Sequence, residues 1–254
     1  LSNLIILWDN NGITIDGEIY KSCVTNQIDR FKSSNWSTFE CDGHNPNEID
    51  DVISKAKKST KPSLISCKTL IGFGSPNKAG KASAHGSPLG EEEIKLIREI
   101  FEWNYEPFQL PEETKKAWLS IGKRNKVIKE KWLHNLKNMS NNNKSYFIQS
   151  ISGDIPKSLK NKFNRFKKTI IEDKPTIATR KSSELTLAVI NKNIPFTIGG
   201  SADLTGSNNT LTPELGIFSP ENQNGRYIHY GIREHAMAAA MNGISLHGGL
   251  IPYG

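Results

Sequence analysis

Residues 4–17 have the sequence LIILWDNNGITIDG, and this stretch decides the fold class. Residues 4–9 form an apolar run ended by Asp9, a pattern typical of a strand buried on both faces of a parallel sheet. A turn at residues 10–12 follows directly. Because ligands of open α/β sheets bind beyond the carboxyl ends of the strands, we expect this turn to lie at a binding edge.

The residues after this turn predict a crossover unit of an α/β sheet. Residues 45–47 open a helix with an apolar face formed by Ile49, Val52, Ile53 and Ala56. Pro62 then introduces a second short apolar strand, SLISCKTL, and a strand, a helix and a strand of these lengths predict parallel pairing. A Gly-, Pro- and Ser-rich loop follows at residues 71–90, and loops of this length are usually functional or disordered. The sequence GEEEIKLIREIFEW then predicts another helix.

The basic charge of the chain is concentrated in residues 111–170. This segment holds 13 lysines, two arginines and four acidic residues, a net charge of +11, whereas the whole chain carries +7. Apolar residues recur in it at helical intervals with lysines between them, which is typical of amphipathic helices with a solvated basic face. Because no nucleic-acid-binding motif accompanies the charge, we expect no nucleic-acid partner; a basic binding module is the alternative.

The residues from position 175 onward have the pattern of a second α/β domain. Residues 183–190 predict a helix, PFTIGGSADL a strand and a loop, and RYIHYG a further strand. An Ala-rich helix, entered near Ile232, follows in REHAMAAAMNGISL. The chain therefore divides into a domain at residues 1–110, a Lys-rich helical linker at 111–174 and a domain at 175–254.

Composition and the terminal residues indicate the cellular compartment of the protein. No apolar run approaches the ~20 residues of a membrane-spanning helix, so we expect no membrane partner. The cysteines Cys23, Cys41 and Cys67 show no CxxC spacing, which favours a reducing compartment and a packing role over disulfides or zinc. The N-terminal residues lack the features of a signal peptide, and both ends have the pattern of interior sequence. We therefore expect a fragment of a longer, cytoplasmic protein.

Two clusters in the first domain could carry chemistry. Asn11 offers a neutral oxygen after the first strand, and the turn exposes backbone carbonyls such as that of Ile13. Mg²⁺ takes about six oxygen ligands and commonly receives some from a diphosphate, although Asn-Gly is also a common tight turn. His85 lies in the Gly-rich loop, where it could contact a substrate or a phosphate, or could be an ordinary surface residue.

Two further clusters lie in the second domain. GGSADLTGSN, at residues 199–208, offers Asp203 and Ser207 to a ligand, although a plain turn would have a similar sequence. Glu234, in YGIREHAM, begins a helix whose next residues include Ala and Met, so we expect apolar, packed surroundings. Burial there would favour the protonated carboxyl and a proton-sharing role. The alternative is a first-turn Glu that stabilises the helix dipole.

In this order and at these separations, WDNNGITIDG, IGFGSPNKAG with HGSPLG, GGSADL and RYIHYGIREHAM resemble the transketolase family. The resemblance runs from residue 4 to residue 254 and is weakest in the Lys-rich segment. It implies an α/β, parallel-sheet thiamine-diphosphate-binding fold, with the end of the diphosphate-binding domain followed by the start of the pyrimidine-binding domain. Two residues depart from the family: Gly206 stands where Pro is usual, and Ala82 stands where a second His is often found, so that one sugar or phosphate contact could differ at Ala82.

The resemblance also implies a role for each candidate residue. Asn11 and the carbonyl of Ile13 resemble ligands of the Mg²⁺, Ca²⁺ or Mn²⁺ ion that holds the cofactor diphosphate. Glu234 resembles the catalytic residue that hydrogen-bonds the aminopyrimidine ring. His85 resembles a catalytic residue that contacts the diphosphate and the substrate. Three residues resemble neighbours of the cofactor: Ile15, Asp203 and Leu204. Arg180 and Ser207 resemble residues that bind the phosphate of the sugar.

The implied activity is reversible transfer of a two-carbon ketol unit between sugar phosphates. Xylulose 5-phosphate would be a typical donor and ribose 5-phosphate a typical acceptor, as in the pentose phosphate pathway. In the family the site lies between the subunits of a homodimer, and a third metal ligand, an Asp of a GDG motif, would lie upstream. We therefore expect these 254 residues alone to be inactive. A dihydroxyacetone synthase, which uses formaldehyde as acceptor, shares the motifs and is the enzymatic alternative.

Overall fold

The computed structural model describes residues 1–254, and their contacts divide the chain into two units, Leu1–Trp118 and Leu119–Gly254. The first unit is built around a three-stranded sheet, and it also contains two short 3₁₀ turns, Ile19–Lys21 and Ala82–Ala84. Its elements in chain order are β1 (Ile5–Asn10), β2 (Ile13–Thr14), β3 (Gly17–Glu18), α1 (Gln27–Ser33), β4 (Ser37–Asp42), α2 (Pro46–Ala56), β5 (Ser63–Lys68), α3 (Glu91–Ile100) and the beginning of α4 (Glu112–Asn138).

The first sheet has the order β1-β5-β4, with all three strands parallel. The central strand β5 is buried along its length except at Lys68, its last residue. The predicted apolar face of α2 packs here, in a core formed by Cys41, Val52, Ala56, Ile65 and Cys67 with Ile49 and Ile53 at its margin. The predicted crossover helix and the parallel pairing of the two apolar strands are therefore confirmed.

The first strand is not buried on both faces, so that expectation is wrong for this chain. Leu7 is 51% exposed, and Ile6 is also exposed. The reason is that α1 and α2 pack against β4 and β5, whereas β1, at the edge of the sheet, has no comparable helical cover over its side chains.

The strand β4 has no counterpart in the sequence analysis. Its sequence, STFECD, contains a single fully buried residue, Cys41, so its apolar signal is weak. Cys41 lies opposite Cys67 in the register of β4 and β5, with the two Sγ atoms 3.8 Å apart. Burial, followed by the neighbouring Cys67, raises the pKa of the Cys41 thiol to about 11. These two cysteines are packing residues, as predicted, whereas Cys23 is only half-buried.

The second unit has its own three-stranded parallel sheet, in the order β7 (Tyr227–His229), β6 (Thr197–Ser201), β8 (Ile251–Tyr253). The predicted Ala-rich helix is α9 (Glu234–His247), which begins close to the expected entry. The α/β fold class with parallel sheets is confirmed in each unit. The elements after α4 are α5 (Asn141–Ser152), α6 (Ser158–Asp173), α7 (Thr179–Asn193), β6 (Thr197–Ser201), α8 (Thr205–Asn208), β7 (Tyr227–His229), α9 (Glu234–His247) and β8 (Ile251–Tyr253).

The Lys-rich segment folds as the helices α4, α5 and α6, as its apolar periodicity predicts. The break between α4 and α5 is shorter than the sequence SNNNKS indicates, because the Ser140 hydroxyl accepts a hydrogen bond from the backbone N–H of Asn143 and helix resumes at once. No helix of the chain is both long and apolar enough to cross a bilayer. The division at residues 110 and 174 stays a prediction. α6 packs in the second unit through a cluster formed by Leu159, Phe163, Ile190, Ile194 and Phe196.

Candidate functional site

The carboxyl ends of β1, β5 and β4 meet at one edge of the first sheet. Asn10, Lys68 and Asp42 lie at the same level of the register, and a cavity of about 410 Å³ opens beside them. The side-chain amide of Asn10 donates to the hydroxyl of Ser66 at 3.2 Å and fixes the end of β1. Ligands of parallel α/β sheets bind at this kind of edge.

The turn after β1 carries the oxygens that the sequence predicts as metal ligands. The backbone N–H of Ile13 donates to Oδ1 of Asn11 at 2.9 Å, and Gly12 between them has a φ of +73°. The backbone N–H of Ile19 donates to the carbonyl of Gly12 at 2.9 Å and closes the β2–β3 hairpin. The turn therefore fixes the side-chain oxygen of Asn11, which keeps a second lone pair for another partner.

These oxygens fit a hard divalent cation that takes most of its ligands from elsewhere. Asn11 and Ile13 are half-buried, and both supply neutral oxygens. No group of three or more His, Cys, Asp or Glu side chains could hold a metal ion. This donor set suits Mg²⁺ or Ca²⁺ shared with a diphosphate better than zinc. Ile15, at the tip of the hairpin, is 73% exposed.

His85 lies directly after the 3₁₀ turn in the loop between β5 and α3. Its side chain is exposed, and its backbone N–H donates to the carbonyl of Ala82 at 2.9 Å. The loop is closed by a backbone hydrogen bond, from the N–H of Gly80 to the carbonyl of Ile71 at 2.8 Å. Because β5 and β1 are adjacent and parallel, this loop leaves the same edge of the sheet as the turn of Asn11.

The second sheet presents a similar edge, where β6 and β7 end side by side with Ser201 opposite His229. Asp203, Leu204 and Ser207 follow β6, and their side chains are exposed. Asp203 has a φ of +65°, a conformation that costs a non-Gly residue about 1–3 kcal/mol. The backbone N–H of Leu204 donates to the hydroxyl of Ser201 at 3.1 Å, which ties the turn to the strand end.

A buried tyrosine anchors the segment after β6. Tyr227, in β7, is 0% exposed, and its hydroxyl is hydrogen-bonded to those of Thr205 at 2.9 Å and Thr210 at 2.7 Å. The side-chain amide of Asn208 donates to the hydroxyl of Ser201 at 2.9 Å. Unpaired buried polar groups are costly, so these bonds hold residues 201–210 in one arrangement against the sheet.

Glu234 begins α9, directly after β7 and a turn in which Gly231 has a φ of +67°. Its side chain is exposed, so the expectation of apolar, packed surroundings is wrong within this chain. The reason is that α9, although apolar in sequence, buries none of its residues; Leu246 is 89% exposed. Apolar surface exposed in this way typically marks an interaction site.

Arg180 lies in the first turn of α7, and its side chain is exposed. The residue before the helix, Ala178, cannot cap it with a side-chain acceptor. The neighbouring Lys181 forms an ion pair with Glu184 at 2.8 Å, whereas no carboxylate pairs with Arg180. An unpaired guanidinium at an uncapped helix N-terminus is a combination that suits a phosphate.

The structure groups the predicted residues by sheet edge. The hairpin after β1 carries Asn11, Ile13 and Ile15, and the loop after the neighbouring strand β5 carries His85. The loop after β6 carries Asp203, Leu204 and Ser207, and the helix after the neighbouring strand β7 begins with Glu234. Arg180 lies on a separate element, α7.

Two residues at the first edge escaped the sequence analysis. Lys68 ends β5, and a Cβ placed on Gly12 would lie 3.9 Å from its Nζ, so its ammonium lies beside the turn of Asn11. The sequence signal that could have identified Lys68 is its position as a basic residue at the carboxyl end of an apolar strand. Glu93 is buried against the loop of His85, but it is the third of three consecutive glutamates, and the sequence does not say which one faces inward.

Two protein families match this chain. Residues 1–156 match the family described as the transketolase thiamine diphosphate binding domain, and residues 175–254 match the transketolase pyrimidine binding domain. A transketolase of Rhodobacter capsulatus is 50% identical over 254 residues, and transketolase 2 of Escherichia coli is 40% identical over 258 residues. Each alignment covers 100% of this chain but 38% of the relative.

Solved structures give the same result. A transketolase from Leishmania mexicana matches with a TM-score of 0.84 and 31% identity, covering 99% of this chain and 38% of that one. A transketolase from Pichia stipitis, solved in complex with sedoheptulose 7-phosphate, matches with a TM-score of 0.81 and 34% identity, covering 98% and 38%.

Proposed function

This chain belongs to the transketolase family, and from this premise we propose that it forms the central part of an enzyme that transfers two-carbon ketol units between sugar phosphates. The donor is a ketose phosphate such as xylulose 5-phosphate, and the acceptor an aldose phosphate such as ribose 5-phosphate, as in the pentose phosphate pathway. One observation carries the proposal. In each sheet, two of the four motifs follow the carboxyl ends of two neighbouring parallel strands, β1 and β5 in the first sheet and β6 and β7 in the second.

The first unit contributes the diphosphate half of the cofactor site. Asn11 and the carbonyl of Ile13 would hold Mg²⁺, or Ca²⁺ or Mn²⁺ in its place, which would neutralise charge on the cofactor diphosphate. His85 contacts the diphosphate and the substrate. Ile15 packs against the cofactor, and its exposure supports this role, because covering an apolar side chain is favourable.

The second unit contributes the pyrimidine half and the grip on the sugar phosphate. Glu234 hydrogen-bonds the aminopyrimidine ring, with Asp203 and Leu204 beside the cofactor. Arg180 and Ser207 hold the phosphate of the sugar. Thiamine diphosphate, when bound, supplies the electron sink for breaking the carbon–carbon bond, and the residues of the chain bind and orient it.

We infer that the enzyme is a cytoplasmic homodimer. A second copy over α9 would cover the exposed apolar residues of that helix and give Glu234 the surroundings expected from the sequence. Residues 1–110 are assigned to the diphosphate-binding domain, 111–174 to the linker and 175–254 to the pyrimidine-binding domain. Nucleic acid is not proposed as a partner, since the basic charge belongs to amphipathic helices of the linker. A membrane is not proposed as a partner either, since no helix is long and apolar enough to span one.

The proposal is tested by assaying the full-length protein, which contains these residues, with xylulose 5-phosphate and ribose 5-phosphate. Turnover that requires both thiamine diphosphate and a divalent metal supports it, and absence of turnover contradicts it. A strong preference for formaldehyde as acceptor would instead identify a dihydroxyacetone synthase. The isolated 254 residues are expected to show no turnover, because they supply only two of the proposed metal ligands.

Asn11→Ala in the full-length protein is expected to weaken retention of thiamine diphosphate on the order of 10-fold or more at fixed Mg²⁺. Loss of a ligand oxygen loosens the diphosphate, and even outer-shell changes cost about 10–100-fold in metal affinity. Turnover at saturating cofactor should fall much less. Titration of the apoprotein measures this, with Asn47→Ala, an exposed residue of α2, as the control. An unchanged apparent affinity would exclude Asn11 from the metal site.

A further inference from the structure

Glu93 is the only charged residue among the buried residues of this chain. It lies in the first turn of α3 with 7% of its surface exposed, while its neighbours Glu91 and Glu92 are exposed. Glutamates are rarely buried unless their carboxylates have partners. The burial of Glu93 therefore indicates that its carboxylate has specific hydrogen-bond partners. The proposed function assigns no role to this residue.

Its partners belong to the loop that carries His85. The hydroxyl of Ser75 and the backbone N–H of Asn77, at 2.9 Å, donate to one carboxylate oxygen, and the side-chain amide of Asn77 donates to the other at 3.0 Å. The bond from Ser75, followed by those from Asn77, lowers the pKa of Glu93 to about 2. Because this pKa is depressed, the carboxylate is fully charged above pH ~4.5, and its bonds are lost only as the pH falls toward 2.

The bonds of Glu93 organise the residues that follow. The hydroxyl of Ser75 also accepts from the backbone N–H of Lys78 at 3.1 Å, so the carboxylate and the turn share this group. The ammonium of Lys78 donates to the carbonyl of Leu89 at 2.7 Å and joins the two ends of the loop. His85 lies between these ends, and its exposed side chain makes no hydrogen bond, so the loop backbone alone fixes it.

A second contact places the same residues from the other side. A Cβ built on Gly72 would lie 3.0 Å from the Cβ of Ala84, so Ala84 packs closely on the start of the loop. The start is itself fixed by His44, whose Nε2 accepts the backbone N–H of Leu70 at 2.8 Å. These contacts hold the first residues of the loop. If residues 75–77 are held as well, the position of His85 is fixed.

We propose that Glu93 is the positioning residue of this loop, acting through Ser75 and Asn77 to hold His85 at the carboxyl edge of the first sheet. The catalytic consequence of this proposal rests on the role proposed for His85. The anchoring of the loop by Glu93 does not depend on that role. Glu93→Gln keeps the size of the side chain and replaces an acceptor oxygen by an amide that faces the donating amide of Asn77. The loop should then open more often, and His85 should be displaced.

The anchoring is tested in the full-length protein without cofactor, by amide hydrogen exchange of residues 75–85. Glu93→Gln should speed exchange by at least about 10-fold in this segment, Glu93→Asp less, and the matched control Glu92→Gln not at all. Equal exchange in Glu93→Gln and wild type would overturn the proposal. This measurement is independent of ketol transfer, so it decides the anchoring even if the proposed activity is absent.

The link to His85 is tested by a double-mutant cycle. Glu93→Gln should lower kcat/KM by about 10–100-fold, the scale of a displacement near 1 Å, with partial rescue in Glu93→Asp. In a His85→Ala background the same change should have less than about a 3-fold effect. A loss of equal size in both backgrounds would mean that Glu93 acts on the fold in general, and would overturn its role in placing His85.

Discussion

Glu234→Gln is expected to lower the turnover of the full-length protein by about 10²–10⁴-fold while leaving folding and thiamine diphosphate binding intact. Gln has nearly the shape of Glu, and the side chain of Glu234 is exposed in this chain, so the change leaves no buried polar group without a partner. It cannot, however, share a proton with the ring nitrogen of the cofactor. The loss should therefore fall on proton transfer at the thiazolium carbon.

The direct measurement is hydrogen–deuterium exchange at the thiazolium carbon of the bound cofactor, followed by NMR after an acid quench. The alternative role of Glu234, as a first-turn charge, is worth only about 0.3–1 kcal/mol of stability. Glu112→Gln is the matched control, since Glu112 is an exposed glutamate that also begins a helix. Exchange at the wild-type rate in Glu234→Gln, with near-normal turnover, would return Glu234 to the helix-dipole role.

Arg180→Ala is expected to raise the KM of phosphorylated sugars by about 10–100-fold and to spare a short unphosphorylated donor such as hydroxypyruvate. A hydrogen bond to a charged group is worth about 1.5–3 kcal/mol, and this one exists only when a phosphate is present. The open N-terminus of α7 should still attract the phosphate, so binding is weakened and not abolished.

Steady-state kinetics on both donor types measure the effect. Lys181→Ala removes a cation one residue away, but its ammonium is already paired with Glu184, so the KM of the phosphorylated donor should change little. Equal losses on both donors in Arg180→Ala would mean that Arg180 has a structural role.

Much of the fold could be predicted because its signals are local. The periodicity of Ile49, Val52, Ile53 and Ala56 gives α2, and the apolar run SLISCKTL gives β5, whatever surrounds them. The four motifs were predicted to follow strands or begin helices, and parallel pairing then assigns them to sheet edges. The strand β4 was missed because half-polar strands become recognisable only through the neighbours that cover them.

Burial depends on which elements meet. Both β1 and the start of α9 are apolar and yet exposed, because no helix covers β1 as α2 covers β4 and β5, and the packing of α9 against β8 buries none of its residues. Conversely, nothing in the charged triplet at residues 91–93 indicates burial, yet Glu93 is buried because the loop after β5 brings Ser75 and Asn77 to it.

The sequence by itself therefore determined the parallel α/β class, the type of those elements that have a strong local pattern, and the motif residues that follow the strands it predicts, since these follow from the spacing of neighbouring residues. The tertiary structure alone decided which strand is central, which apolar faces stay open and which polar groups are held inside, such as Tyr227 between Thr205 and Thr210. The physical reason is that hydrogen-bond pairing and burial join residues far apart in the chain, and no local pattern specifies that meeting.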